Sequence, residues 1–218
     1  MAVGYNPSIV SDGLVFFLDA ANTRCYSGSG NTANGLIGGI NGTLVNGVGF
    51  TSSNNGSFVF DGTNDYVDFP SYTPDANTIS IWVNFKNYEN GPIVFVGDDI
   101  YNSGLWSWSF FMISPIFYIR ANPGPYANFN ETPPLNTWIN YILVRNNGSN
   151  ISITYKNGVS FGSTTDSTTT NLYPNMRFGI AGGQAANFNL GQVQIYNRAL
   201  SQQEILQNFN ATRFRYGI

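Results

Sequence analysis

The sequence predicts an all-β protein, a two-sheet antiparallel sandwich of the jelly-roll type closed by one short C-terminal helix. Three observations carry that prediction. Short apolar runs recur at strand period, as in Ile79-Ser-Ile-Trp-Val-Asn-Phe, where residues 79, 81, 83 and 85 point to one face. Gly, Asn and Pro separate these runs with turn signals, and no helical pattern intervenes. The composition provides a core without charge: 42% of the 218 residues are hydrophobic and 16% aromatic, against 10% charged. Disorder is excluded, because it needs a charge-rich, aromatic-poor chain. The surface is made polar by Asn, Ser, Thr and Gly instead.

Taken in order, strands are expected at 13–19, 56–60, 66–69, 79–85, 93–97, 106–113, 117–120, 138–145, 151–156, 177–181 and 191–196. Asp61-Gly-Thr-Asn-Asp65 lies between two of them and reads as a hairpin loop. Asn157-Gly158 suits a type I′ turn, whose two central residues both need positive φ. Residues 122–126 and 131–134 form proline-stiffened loops, and the Ser/Thr stretch 163–170 reads as an exposed loop. One segment breaks the β pattern. Ser201 and Glu204 fit a capping box, and Ala199, Ile205, Leu206 and Phe209 follow at near-helical spacing, defining a helix of about ten residues. No repeat or linker divides the chain. The expected organisation is an N-terminal arm, 1–11, and a single domain, 12–218.

Charge and residue usage exclude whole classes of function. Nine Lys and Arg against twelve Asp and Glu give a net charge of −3. The basic residues are scattered apart from Arg213 and Arg215, so no nucleic-acid-binding surface is expected. There is no histidine, which removes the commonest general base and metal ligand and with it Ser-His-Asp, Cys-His and His-zinc chemistry. Cys25 is the sole cysteine; it forms no internal disulfide and is expected to be inert and partly buried. No run approaches the roughly 18 apolar residues that cross a bilayer. The start of the chain lacks a basic region, and the apolar stretch 13–18 is too short for a signal core. The expectation is a protein made in a cytoplasm that leaves on a particle or by lysis.

Two segments are diagnostic. Asn55-Gly-Ser-Phe-Val-Phe-Asp-Gly-Thr-Asn-Asp-Tyr-Val-Asp-Phe69 resembles the F-D-G-x-x-D-Y-V hairpin of laminin-G-like jelly rolls. Gln194-Ile-Tyr-Asn-Arg-Ala-Leu-Ser-Gln-Gln-Glu-Ile205 is similar to that family's closing strand and helix. Gly13-Leu-Val-Phe-Phe-Leu-Asp-Ala20 matches its opening strand, and the segment from Trp138 to Arg145 its central one. The resemblance runs in order from about residue 12 to 217 and implies the concanavalin A-like lectin/glucanase fold. The two ends of the chain are similar to laminin-G-like virion proteins of tailed phages, cyanophages in particular. That likeness implies a non-enzymatic virion surface protein that decorates the capsid, with other capsid or tail proteins and further copies of itself as partners. At one place the sequence departs from the family: Gly191 and Gln192 stand where relatives carry an Asp-Glu pair, so no role of those acids is carried over.

Three chemistries remain to be weighed. Glycoside hydrolysis needs two carboxylates, about 5–5.5 Å apart for retention or about 6.5–9.5 Å for inversion. The glucanases of this fold supply them from an E-x-D-x-(x)-E strand, which is absent; Glu89, Glu131 and Glu204 are far apart in sequence. No catalysis is expected. Calcium takes oxygen ligands, and Asp61, Asn64 and Asp65 form one candidate group, Asp98 and Asp99 another, although Asp and Asn populate such loops for turn geometry alone. Carbohydrate binding at a cell surface, the alternative function, would use aromatic faces from the stretch 98–129: Tyr101, Trp106, Trp108, Tyr126 and Phe129. Trp82 and Trp138, flanked by alternating apolar residues, are expected in the core of the sandwich.

Overall fold

Period-2 alternation along the chain resolves into two stacked antiparallel sheets. The computed structural model describes residues 7–70, 76–97, 106–121, 129–146, 151–165 and 175–218. In chain order the strands are β1 (Leu14–Asp19), β2 (Thr32–Asn34), β3 (Asn41–Val45), β4 (Gly49–Thr51), β5 (Ser57–Asp61), β6 (Tyr66–Pro70), β7 (Thr78–Phe85), β8 (Gly91–Gly97) and β9 (Trp106–Ile113). They continue with β10 (Ile116–Ala121), β11 (Phe129–Glu131), β12 (Trp138–Asn146), β13 (Ile151–Lys156), β14 (Val159–Thr165), β15 (Asn175–Phe178), β16 (Ile180–Ala181), β17 (Gln184–Ala185) and β18 (Asn187–Tyr196). Helix α1 (Gln202–Thr212) and a 3-10 turn (Arg213–Tyr216) close the chain.

The first sheet runs β14-β13-β12-β7-β18-β5-β4, with β1 also paired to β18; the second runs β11-β10-β9-β8-β15-β6-β3-β2. A small hairpin, β16-β17, stands apart. The main core is aromatic and bridges the sheets: Phe16 packs edge-on against Phe69 at 5.4 Å, and Phe117 reaches Phe85 at 5.0 Å and Tyr141 at 4.7 Å. Offset and edge-on ring pairs are the arrangements that the aromatic quadrupole favours. Cys25 lies in this core, and burial pushes its thiol up to about 11.

The central strands of the first sheet are buried on both faces. All eight residues of β7 are buried: Ile79, Ile81, Val83 and Phe85 belong to the inter-sheet core, whereas Trp82 belongs to a separate cluster with Trp138, Phe209 and Tyr216. Trp82 stacks on Tyr216 at 4.1 Å and on Phe209 at 5.9 Å. The expectation of Trp82 and Trp138 in the inter-sheet core is therefore corrected. They are buried on the outer face, beneath α1 and the 3-10 turn.

Helix α1 has the predicted capping box. Ser201 Oγ accepts from Glu204 N–H, and Glu204 Oε2 accepts from Ser201 N–H at 2.8 Å. Ile205 and Phe209 face the sheet as expected, but Leu206 is exposed and Asn208 is buried in its stead. Asn208 belongs to a network that fastens the end of the expected arm: it accepts from Val10 N–H at 2.8 Å and donates to Tyr196 Oη at 3.0 Å. Tyr196 Oη in turn donates to Val10 O at 3.0 Å.

Several strand expectations are adjusted. The turn at Asn157-Gly158 has positive φ at both residues, 50° and 78°, as predicted, but the chain leaving it forms β14 as far as Thr165. Part of the expected 163–170 loop is thus an edge strand, because threonine suits a pleated, half-exposed strand without an apolar alternation to mark it. The strand expected over 177–181 ends at Phe178, and Ile180–Ala181 pairs with β17 instead. The short strands β2, β3, β4 and β11 carry too little apolar sequence to have been read.

Candidate functional site

The expectation of a hairpin loop at 61–65 is corrected: β5 lies in the first sheet and β6 in the second, so the segment is a crossover between sheets and not a hairpin. Its acids serve the turn: Asp61 Oδ1 accepts from Thr63 N–H at 2.7 Å, and Asp65 Oδ2 accepts from Asp61 N–H at 3.2 Å. The backbone carbonyl of Asn64 accepts from Asn46 Nδ2 at 3.0 Å. Asp65 is only 4% exposed, and burial raises its carboxyl above the usual range, with the Asp61 N–H bond opposing the rise. Asp65 Oδ1 is buried without a hydrogen-bond partner among the described residues. Calcium takes about 6–8 oxygens, and among the described residues no group of three or more Cys, Asp or Glu is placed to hold a metal ion. The described acids of this segment are two, Asp61 and Asp65.

Asp98, Asp99, Tyr101 and Tyr126 lie outside the described residues. Met176 of β15 lies opposite both Phe69 and Val96, so the described end of β8 at Gly97 lies away from residues 61–65. Trp106 and Trp108 occupy alternate positions at the start of β9, opposite Gly97 and Val96. Phe129 starts β11 opposite Ile119. Of the expected aromatic set, the backbone places Trp106 and Trp108 on β9 and Phe129 on β11, with β10 between them.

A different site is fully described, on the first sheet beneath the closing turn. Asp19, the last residue of β1, lies opposite Gln192 of β18. Gln192 Nε2 donates to Asp19 Oδ2 at 2.8 Å, and Arg215 Nη1 donates to Asp19 Oδ1 at 2.5 Å. Arg215 also donates from Nε to Asn54 O at 2.8 Å and from Nη2 to Gly56 O at 2.5 Å, which locks the 3-10 turn to the 53–56 loop. Asn54 answers by donating from Nδ2 to Arg215 O at 3.1 Å and accepting from Trp138 Nε1 at 3.1 Å.

Asp19, Gln192 and Arg215 floor an open cleft of about 580 Å³, with Asn22, Asn55 and Phe214 also lining it. Gln192 is buried, and its Oε1 is sealed from solvent with no hydrogen-bond partner among the described residues. Phe214 is 70% exposed at the rim, with the Arg213 guanidinium 5.0 Å over its ring.

The cleft depends on Gly191 and Gln192, the two positions at which the resemblance implies acids. At Gly191, where β18 bulges against β7, a Cβ would sit 2.3 Å from Tyr216 Oη. An acid there would expel Tyr216 and with it the turn that carries Phe214 and Arg215. Gln192 replaces the second acid and binds Asp19, which another carboxylate would repel. Gln192 and Arg215 are distant in sequence from Asp19, and their meeting with it is a tertiary event.

The remaining described acids are largely engaged in ion pairs. Glu204 is bound through both oxygens by Arg198, at 2.6 and 3.0 Å. Glu131 accepts from Lys156 Nζ at 2.6 Å and from the buried Tyr141 hydroxyl. Asp68 pairs with Arg177 at 2.8 Å across β6 and β15.

Two stacked, curved antiparallel sheets with a helix over one outer face define a lectin-like sandwich. The chain belongs to a laminin G family of the concanavalin A-like lectin/glucanases superfamily, whose model matches residues 61–206. No curated protein matches it in sequence. Among solved structures it is similar to Trypanosoma rangeli sialidase in complex with sialic acid, with a TM-score of 0.71 and 13% identity over 95% of this chain and 34% of that one. It is also similar to the receptor-binding domain of botulinum neurotoxin type G, with a TM-score of 0.68 and 14% identity over 91% of this chain and 51% of that one. The binding domain of serotype D gives 0.69 and 14% over the same shares. The chain thus spans about a third of the sialidase and half of the toxin domains, and the likeness is one of fold.

Proposed function

We propose that this chain is a non-enzymatic carbohydrate-recognition domain, carried on the outside of a phage particle. The observation that carries the reading is the cleft at Asp19, Gln192 and Phe214, a concave polar floor beside an exposed aromatic ring. Ligand sites are concave, combine apolar or aromatic walls with a few fixed polar groups, and commonly enclose about 300–1,000 Å³. The superfamily and the receptor-binding neighbours support the same reading as an association of fold. The ion-paired state of Glu131, Glu204, Asp19 and Asp68 supports a binding rather than a hydrolytic role.

The test is a glycan array on the purified protein, run with calcium and again with chelator. Saturable binding to a defined glycan is the expected result. Binding lost with chelator would move the site to Asp61, Asn64 and Asp65 or to Asp98 and Asp99. Silence in both conditions, with the protein folded, would overturn the reading.

A second reading, decoration of the capsid through protein contacts alone, is favoured by the edge of the first sheet. β14 is its outermost strand and exposes Val159 and Phe161, an apolar edge of the kind that pairs with other chains. Light scattering distinguishes the two: decoration predicts a defined multimer that dissociates on Val159→Lys, and recognition does not need one.

A further inference from the structure

We infer that the groove between β18 and α1 is a docking site for an extended peptide segment, filled here by the chain's own residues 8–10, and that the same residues of a second copy fill it when chains exchange this segment. The groove uses residues of neither the cleft nor the β14 edge, and it holds whichever of the two functional readings above is right.

The groove grips main chain. Asn208 Oδ1 accepts from Val10 N–H at 2.8 Å and Tyr196 Oη donates to Val10 O at 3.0 Å, so one residue is held at both of its backbone groups. Two residues earlier, Gln207 Nε2 donates to Ser8 O at 2.8 Å. The Val10 side chain packs in a buried apolar cluster with Ile142, Val144, Tyr155, Leu200 and Ile205. Hydrogen bonds to backbone groups, with a pocket for one side chain, are the means by which extended peptides are recognised. Residues 7–10 belong to no strand or helix, and these hydrogen bonds come from α1 and β18 alone.

The groove also has to be filled. Tyr196 is fully buried and Asn208 is 3% exposed. Without an occupant, Asn208 Oδ1 loses its donor and Tyr196 Oη keeps only Gln194 Oε1, at 3.3 Å, as an acceptor. A buried polar group stripped of its partner is costly. A second copy restores the same bonds with the same atoms, so the connection at residues 11–14 decides between the two forms. In this chain that connection is a turn, closed by Leu14 N–H on Ser11 O at 3.2 Å with a φ of +74° at Gly13. A Cβ at Gly13 would stand 2.9 Å from Arg198 Cγ and Asn197 Oδ1, so glycine alone takes the turn without strain. Arg198 pairs with Asp12 beside it at 2.8 Å, but Asp12 is largely exposed and the pair adds little. An extended connection, which carries residues 8–10 to a neighbouring copy, needs neither the positive φ nor the close approach.

The test uses the full chain. Light scattering over a range of concentrations measures the monomer–dimer equilibrium of wild type, Gly13→Ala and Val159→Lys. The expected result is a dimer that grows with concentration and survives Val159→Lys. Its half-point should fall about fivefold or more in Gly13→Ala, because a side chain at positive φ strains the unexchanged turn and spares the extended one. Cross-linking reads the contact itself: Ser8→Cys chains are mixed with Gln207→Cys chains and treated with a short bis-maleimide, the native Cys25 being buried. A covalent dimer with one chain of each kind, in excess of what either variant yields alone, is expected. Bridging confined to single chains of the double variant Ser8→Cys/Gln207→Cys, with wild type monomeric at every concentration, would overturn the exchange. A dimer that Val159→Lys dissociates and that gives no mixed cross-link would overturn it as well, and would assign assembly to the β14 edge. Should Gly13→Ala fail to fold, the cross-link alone decides.

Discussion

At the scale of single residues, Gly191 has the largest consequence for the site. A Cβ at this bulge meets the hydroxyl of Tyr216, whose ring is wedged between Trp82 and Trp138 at 4.1 and 4.8 Å. The neighbour that would have to yield is a rigid aromatic with no room behind it. Gly191→Ala should cost about 1–3 kcal/mol by overpacking, read as a lower denaturant midpoint. An unchanged midpoint would mean that the 3-10 turn lifts freely, and the cleft would then be a soft feature. Cys25 offers a second test. Burial pushes its thiol up to about 11, so it is protonated and shielded at neutral pH. A thiol reagent at pH 7 should label it only as the protein unfolds, and rapid labelling of the native chain would contradict its place in the core.

At the scale of elements, α1 depends on its first turn. The Glu204 carboxyl is held down to about 2, first by hydrogen bonds from Arg198 and then by the Ser201 N–H. The unfolded chain therefore binds a proton that the folded chain refuses. The stability this group adds is fully present above its ordinary value of 4.5 and is lost as pH falls towards about 2. Glu204→Gln removes a partly exposed ion pair and half a capping box, and should cost about 1 kcal/mol at pH 7. Its melting temperature should also fall less steeply than that of wild type between those pH values. Parallel curves would show that Arg198 and Glu204 do not interact in solution.

At the scale of the whole molecule, the closing helix and turn act as a lid on the outer face of the first sheet. Phe209 and Tyr216 cover Trp82 and Trp138, and Trp82 Nε1 donates to Thr212 Oγ1 at 3.0 Å. Phe209→Ala should cost about 3 kcal/mol and shift tryptophan emission to the red as water reaches the sheet. An unshifted emission would mean that Tyr216 covers the indoles alone. The same lid carries Phe214 and Arg215 to the cleft, so the lid's seating and ligand affinity should weaken together in this variant.

The sequence by itself determined the β class, the capping box, the Asn157-Gly158 turn and the inward face of β7, because each is a local pattern of period, cap or turn chemistry. The laminin-G-like motifs extended this to the family. Tertiary structure alone decided what covers each second face. Trp82 alternates in register as any outward residue would, and only the return of residues 202–216 buries it. The edge strand β14 was read in part as a loop because Ser and Thr mark no face. The cleft was invisible for the same physical reason: Asp19, Gln192 and Phe214 are neighbours only after β1 pairs with β18 and the chain end folds back over them. Periodicity reports what lies within a few residues, whereas the partners of a buried polar group are chosen by packing across the whole chain.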